Sequence, residues 1–519
     1  MYREVCGFIN RRKRVKNMGK SIVNFLRDSW IGNPEKCACA DEISAVSYRE
    51  LWEDSHTTAY NLLKRVQSGM PVPVVMKKSC MALKLIWGVI KAGGCYVVID
   101  PLLPKKRIEN ILNILEAKWI IGEQNIRTKI PAEIQIYSGE KLLRPVNGDR
   151  REVDKRTEQI CDIDPMYIMF TSGSTGEPKG IAVSHRSVMD FIEYFTELFQ
   201  MEEQDVIGNQ APWDFDVSVK DIFSAARVGA TLQIIPKKLF SMPVQLADFL
   251  DDKKVTTLIW AVTALCILSS TGALKHKRPE AIKRIIFSGE VMPVKQYNLW
   301  REYYPDAMFV NVYGPTEITC NCTYYFVDRL FDEEEVIPIG IPFPNERVFL
   351  LDDKDCLIEN RKEEKGRVGE ICVSGTAVTL GYYNNQRATN AGFMQNPLNE
   401  KYMEMIYRTG DLGYYNQEGM LCFASRKDFQ IKHMGHRIEL GEIERIAGGI
   451  EEVEHCCCLY RAGEICLFYE GAADRKAVVS ALRKKLPVFM IPGKILNVEA
   501  MPVNKNGKTD RGILEGYLE

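Results

Sequence analysis

Phe170 to Gly180 reads FTSGSTGEPKG, hydroxyls and glycines packed together and closed by one proline and one lysine. The apolar run MYIMF (Met166–Phe170) leads into it as a strand, and VSHRSVMDF, after Gly180, has the texture of a helix opening. A Gly/Ser/Thr turn in that setting exposes backbone N–H groups and hydroxyls that suit phosphate oxygens. Lys179 adds a mobile cation for the β- and γ-phosphates. The spacing is not that of a Walker A loop, which needs Gly, four residues, then Gly-Lys and Ser or Thr. Here, counted from Gly173, Pro178 stands where that loop needs its second Gly, and Gly180 trails Lys179 in place of Ser or Thr. The segment predicts a phosphate-holding loop of another kind.

Outward from this loop, β-branched runs (VVIDP at Val97, TLQII at Thr231, TTLIW at Thr256, RIIFSG at Arg284) alternate with amphipathic stretches. Examples of the latter are Ser187–Phe199 and Pro243–Lys254. That alternation predicts an α/β fold of βα units with mostly parallel sheets. Residues 335–426 switch to short strands between polar turns, a smaller β-rich subdomain. The expected organisation is a large N-terminal part, 21–426, of two βα sheet subdomains plus the β-rich one. A small, mobile α+β C-terminal domain would span 427–519, hinged at Asp428 in a charged, turn-prone pair. Residues 1–20, with the basic run Arg11–Lys16, are expected to be a disordered tail.

With 519 residues the chain exceeds one core, and its 46% hydrophobic and 26% charged composition is that of a globular protein. A net charge of -1 gives no electrostatic case for nucleic acid. No apolar run approaches the ~18 residues that cross a bilayer, so no membrane insertion is expected. The sixteen cysteines contain no CxxC, and no apolar segment follows the basic run as in a signal peptide. Reduced thiols, a cytoplasmic location and a monomer are expected, with no histidine-built metal centre.

Three further segments carry chemistry. NVYGPTE (Asn311–Glu317) sets an aromatic face for a purine beside a Gly-Pro turn; Thr316 and Glu317 supply hard oxygens of the kind Mg2+ prefers. YRTGDLG (Tyr407–Gly413) places Asp411 where a carboxylate can accept both ribose hydroxyls. NKNGKTDRG (Asn504–Gly512) presents Lys508 on a glycine turn, a cation deliverable to a site built elsewhere.

Together, in this order, the four segments resemble the adenylate-forming ligases: acyl-CoA synthetases, luciferases and nonribosomal peptide synthetase adenylation domains. VSYREL (Val46–Leu51), KAGGCYVVIDP (Lys91–Pro101), FDVS (Phe215–Ser218), GEICVSG (Gly369–Gly375), LPVFMIP (Leu486–Pro492) and NGKTDR (Asn506–Arg511) look like the amino-acid-activating branch. The resemblance implies attack of a carboxylate on the α-phosphate of ATP, with Mg2+, giving an aminoacyl-adenylate and pyrophosphate. The phosphopantetheine thiol of a separate carrier protein would then displace AMP. Thr171, Ser172, Gly173, Ser174, Thr175, Gly176 and Lys179 would hold the triphosphate. Gly289, Glu290 and Asn311, Val312, Tyr313, Gly314, Pro315 and Thr316 would line the nucleotide pocket. Glu317 and Thr175 would serve Mg2+, and Asp411 and Arg426 the ribose. Lys508 would be catalytic beside Lys179, bridging substrate carboxylate and α-phosphate. Rotation about Asp428 would then withdraw it and bring the segment near Gly435 to the thiol. Ser425 stands where the family usually has Gly, which bears on the turn before Arg426.

Asp216, in FDVS, would pair with an α-ammonium, which favours an amino acid over a fatty or aryl acid. Val217, Lys220, Trp260, Ile286, Ser288, Val312, Cys320 and Asn321 would complete the side-chain pocket. Lys220 admits two readings: it meets an acidic or polar side chain such as Glu, or it turns away and leaves Trp260 to shorten the pocket for a small residue. The second reading favours the D-alanine–carrier-protein ligases, although Ser288 replaces their usual cysteine. Further alternatives are an acyl- or aryl-CoA synthetase and an inactive, carrier-binding homologue. With no carrier or condensation segment in view, a stand-alone or excised domain is expected.

Overall fold

The computed structural model describes residues 21–145, 148–171, 178–332, 334–427, 430–502 and 509–518. The N-terminal tail (1–20), loop residues 172–177, Asp428 and Lys508 therefore lie outside the described residues. The β-branched runs form the strands anticipated for them: Cys95–Ile99, Thr231–Ile234, Thr257–Ala261 and Arg284–Ser288. Helices His185–Leu198 and Pro243–Asp252 occupy the amphipathic stretches.

Two large sheets result. One has six strands in the order Gln135–Tyr137, Trp119–Gly122, Pro71–Val75, Cys95–Ile99, Pro165–Thr171, Lys179–Ser184. All pair in parallel except the last, which returns antiparallel with Thr171 opposite Lys179. The phosphate-type loop is thus the loop of a β-hairpin. The GIAVS run is a strand, and the helix expected in VSHRSVMDF opens within that segment at His185, after Ser184 as its N-cap.

The second sheet has nine strands, with a parallel centre of Met308–Tyr313, Arg284–Ser288, Thr257–Ala261, Val206–Asn209, Thr231–Ile234 and Cys37–Ala40. One continuous apolar cluster joins the two sheets through the helices between them, including Val217–Val228. A second cluster, with Trp260, Phe287 and Trp300, covers the other face of the nine-stranded sheet.

Antiparallel strands Glu346–Leu351, Gly369–Gly375, Met405–Tyr415 and Leu421–Arg426 build the β-rich part. Beyond it come a hairpin (Gln430–His433, His436–Glu439), the helix Leu440–Gly448 and a three-stranded sheet, packed round a core of their own. Among the described residues no helix is long and apolar enough to cross a membrane.

Candidate active site

The carboxyl ends of Thr257–Ala261, Arg284–Ser288 and Met308–Tyr313 lie side by side, the edge at which open α/β sheets bind ligands. Side chains alternate across each strand. Ile286 and Val312 join the apolar cluster on the inner face, while Phe287 and Phe309 join the cluster on the outer face. Ser288, in step with Ile286, falls on the inner face too.

Helix Val217–Val228 closes this face, and Asp216 precedes its first turn without spending its carboxylate on a capping bond. Asp216 is buried, and none of the described cations lies within ion-pair distance of it. Burial pushes its carboxyl up from the usual range, with the Thr316 hydroxyl and the Lys220 ammonium offsetting part of that rise. One helical turn on, Lys220 is only 1% exposed and donates to Ser288 Oγ (3.1 Å) and Asn321 Oδ1 (2.9 Å). It does not turn away from the pocket. Cys320 donates its thiol to the Asp216 carbonyl at 3.0 Å. Thr319 and Cys320 both take left-handed backbone angles (φ 53° and 73°), a rare pair for non-glycine residues that sets Cys320 and Asn321 against the helix.

Trp260 does not belong to this pocket. Its indole lies on the outer face against Phe240, and its N–H donates to the Gly208 carbonyl at 2.7 Å. The residue of the opposite parity, Ala261, stands beside Ser288 in the register. Val217 is half-buried in the first helical turn.

Of the expected nucleotide residues that are described, Asn311, Tyr313, Asp411 and Arg426 lie near this edge. Tyr313 donates its hydroxyl to Asp411 Oδ2 at 2.5 Å, and Arg426, the cross-strand partner of Asp411, pairs with Oδ1. Ser425 is exposed opposite Leu412, and Arg426 keeps its place despite the missing glycine. Asn311 donates to the Pro338 carbonyl at 2.8 Å, and Gly289 takes φ 95°. Lys179 lies 5.4 Å from the centre of the Tyr382 ring.

Several partners escaped the sequence reading. Glu317, 2% exposed, accepts from the Tyr382 hydroxyl at 2.7 Å and pairs with Arg437 at 2.5 Å. Burial opposes the charge on Glu317, yet the Arg437 guanidinium and the Tyr382 hydroxyl outweigh it and hold the carboxyl below its usual range. Lys432, 5.4 Å from the Tyr313 ring centre, also enters from the C-terminal hairpin. Gly435 N–H donates to Glu290 Oε1 at 2.8 Å, and Thr263 donates to Oε2. Arg107 and Glu442 form a second, buried pair between the N- and C-terminal parts at 2.7 Å. Neighbouring His436 stacks on Phe489 (3.7 Å between ring centres) and meets Phe215 edge-on. Burial lowers its imidazole to about 3, so it is neutral at pH 7. Phe170, Thr171, Asp214, Phe215, His436 and Phe489 line a cleft here.

The family model described as "AMP-binding enzyme" matches residues 26–383. Tyrocidine synthase 1 of Brevibacillus parabrevis is 30% identical over 507 residues, 96% of this chain and 45% of that protein. The chain thus spans less than half the length of that relative. The structure of holo-PA1221, an NRPS protein containing adenylation and PCP domains bound to a vinylsulfonamide inhibitor, superposes with a TM-score of 0.82. Its identity is 23%, covering 96% of this chain and 84% of that one. The Vibrio cholerae adenylation domain AlmE, solved in complex with glycyl-adenosine-5'-phosphate, also gives 0.82, at 21% identity over 97% of this chain and 99% of that one. Both share the fold described above.

Proposed function

Because the chain belongs to the AMP-binding enzyme family, we propose that it uses ATP to activate an α-amino acid as the aminoacyl-adenylate and passes it to a carrier-protein phosphopantetheine thiol. Asp216 carries this reading. A buried carboxylate with no ion-pair partner among the described residues is costly unless a ligand compensates it. An α-ammonium does so, and a fatty or aryl acid does not. The glycyl-adenosine-5'-phosphate complex of AlmE and the adenylation–PCP pairing of PA1221 support the same two steps here.

In the first step a substrate carboxylate oxygen attacks the α-phosphorus, and pyrophosphate leaves with the electrons of the broken P–O bond. Charge gathers on phosphoryl oxygens, so neutralisation matters more than proton transfer. Lys179, which follows the loop in the paired strand, would supply part of it. Glu317 is one buried carboxylate beside Thr316, a donor set that fits a Mg2+ held chiefly by substrate phosphates. Mg2+ there would neutralise the departing pyrophosphate. Arg437 holds the same carboxylate in this structure, so Glu317 faces either the metal or the guanidinium. We assign the Arg437-bound arrangement to the second step, in which the thiol sulfur attacks the acyl carbonyl, AMP departs and the thiol proton is released. Rotation about Asp428 would exchange the two arrangements and bring Lys508 in for the first step.

Amino-acid-dependent ATP–pyrophosphate exchange, run across the twenty amino acids plus D-alanine, tests the reading. Exchange with at least one of them is expected. Exchange only with fatty or aryl acids would overturn it.

A further inference from the structure

If Asp216 takes the α-ammonium, the pocket keeps one charge without a counter-ion among the described residues. We propose that Lys220 selects an amino acid with an anionic side chain, an α-amino dicarboxylic acid whose distal carboxylate meets Lys220 Nζ. The proposal rests on the amino-acid activation argued above and names its substrate class.

Lys220 is 1% exposed, and among the described residues its Nζ bonds neutral oxygens, Ser288 Oγ and Asn321 Oδ1. Among the described residues no carboxylate lies within ion-pair distance of it, and its third N–H has no acceptor. The two nearest carboxylates on its own helix are committed elsewhere. Asp216 awaits the α-ammonium, and Asp221 leans away to accept from Asn209 Nδ2 at 2.5 Å. A buried cation in that position calls for an anion.

The hydrogen-bond roles sharpen this. Ser288 accepts from Lys220, which leaves its own O–H free to donate. Asn321 accepts through Oδ1, so its amide N–H groups remain donors. Nζ, the Ser288 hydroxyl and the Asn321 amide therefore present donors around one point. A carboxylate is acceptor-only and fits such a set; a carboxamide would turn an NH2 towards it. Asp216 and Lys220 are four residues apart, about 6 Å along the helix axis, so an amino acid anchored at the first directs its side chain past the second. Ile286 and Val312 supply apolar walls for the methylenes in between.

The experiment compares kcat/KM in pyrophosphate exchange for aspartate against asparagine, glutamate against glutamine, and 2-aminoadipate. For at least one isosteric pair the acid is expected to exceed the amide about 10- to 100-fold, the range of a hydrogen bond to a charged group. Lys220→Met should erase that preference or reverse it towards neutral side chains. Ser288→Ala, which keeps the lysine and removes one donor, should narrow it several-fold, and it serves as the test if Lys220→Met does not fold. A wild-type preference for amides or apolar amino acids, or an unchanged acid preference in the variant that folds, overturns the proposal while amino-acid activation stands. Absence of exchange with every amino acid would defeat the activation reading itself.

Discussion

Two walls of the site treat charge in opposite ways. On the wall formed by Asp216, Lys220, Ser288 and Asn321, the buried charges have neutral hydrogen-bond partners and, among the described residues, no direct ion pair. On the wall formed by Glu317, Tyr382, Arg437, Asp411 and Arg426, each carboxylate is matched by a guanidinium and a tyrosine hydroxyl. The first wall is fixed within the N-terminal part and left for a ligand to complete. The second is completed for Glu317 by a residue of the C-terminal hairpin, so it would change with the proposed rotation of that hairpin. On the proposed function, the first would be a static pocket that recognises and the second a reversible contact that reports the stage of reaction, two uses of the same ionic chemistry.

Asp216→Ala should break the first wall most severely. Removing one partner of a buried charge pair costs about 3–5 kcal/mol, so kcat/KM for amino-acid-dependent exchange should fall about 10³-fold. Exchange at the wild-type rate would remove Asp216 from ammonium recognition. Arg437→Ala addresses the second wall. Thioester formation on a carrier should fall about 10- to 100-fold relative to adenylate formation, because the contact that seats the hairpin is lost. Equal loss in both steps would contradict the assignment of this arrangement to thiol transfer. The pair also has a pH signature. Glu317 is held below its unfolded value, so its contribution to stability is present above the ordinary glutamate range and disappears as pH falls through the depressed value. Acid unfolding followed with and without Arg437 should diverge at neutral pH and converge at the acid end.

Much of this was legible in the sequence, for physical reasons. Strand runs and amphipathic stretches carry their own periodicity, so the βα texture could be read locally. Asp216 and Lys220 stand four residues apart at the start of one helix, which sets them on one face; their expected roles toward the substrate came from the family resemblance. The partners of Glu317 could not be read, since Tyr382 and Arg437 are 65 and 120 residues away in sequence. Nothing local in GYY or GHRIEL announces a contact with GPTE. The hairpin after the phosphate-type loop was also missed, because GIAVS is too short and too plain to declare itself a strand before the helix begins.

Trp260 gives the smallest and most diagnostic effect. Its mistaken place in the pocket came from taking the right strand with the wrong parity, and a one-residue shift moves a side chain to the other face. The sequence contains no register mark there; the pairing of Trp260 with Phe287 and of Ala261 with Ser288 supplies it. Trp260→Phe should cost about 1 kcal/mol of stability through the lost bond to the Gly208 carbonyl. It should leave the ranking of amino acids in pyrophosphate exchange unchanged. Ala261→Val, one residue along, enlarges a side chain on the inner face, 3.1 Å from where a Cβ on Gly435 would stand. It should alter that ranking or the transfer step while sparing the indole bond. A changed substrate ranking in Trp260→Phe, with Ala261→Val silent, would restore the tryptophan to the pocket and reverse the parity assigned to this strand.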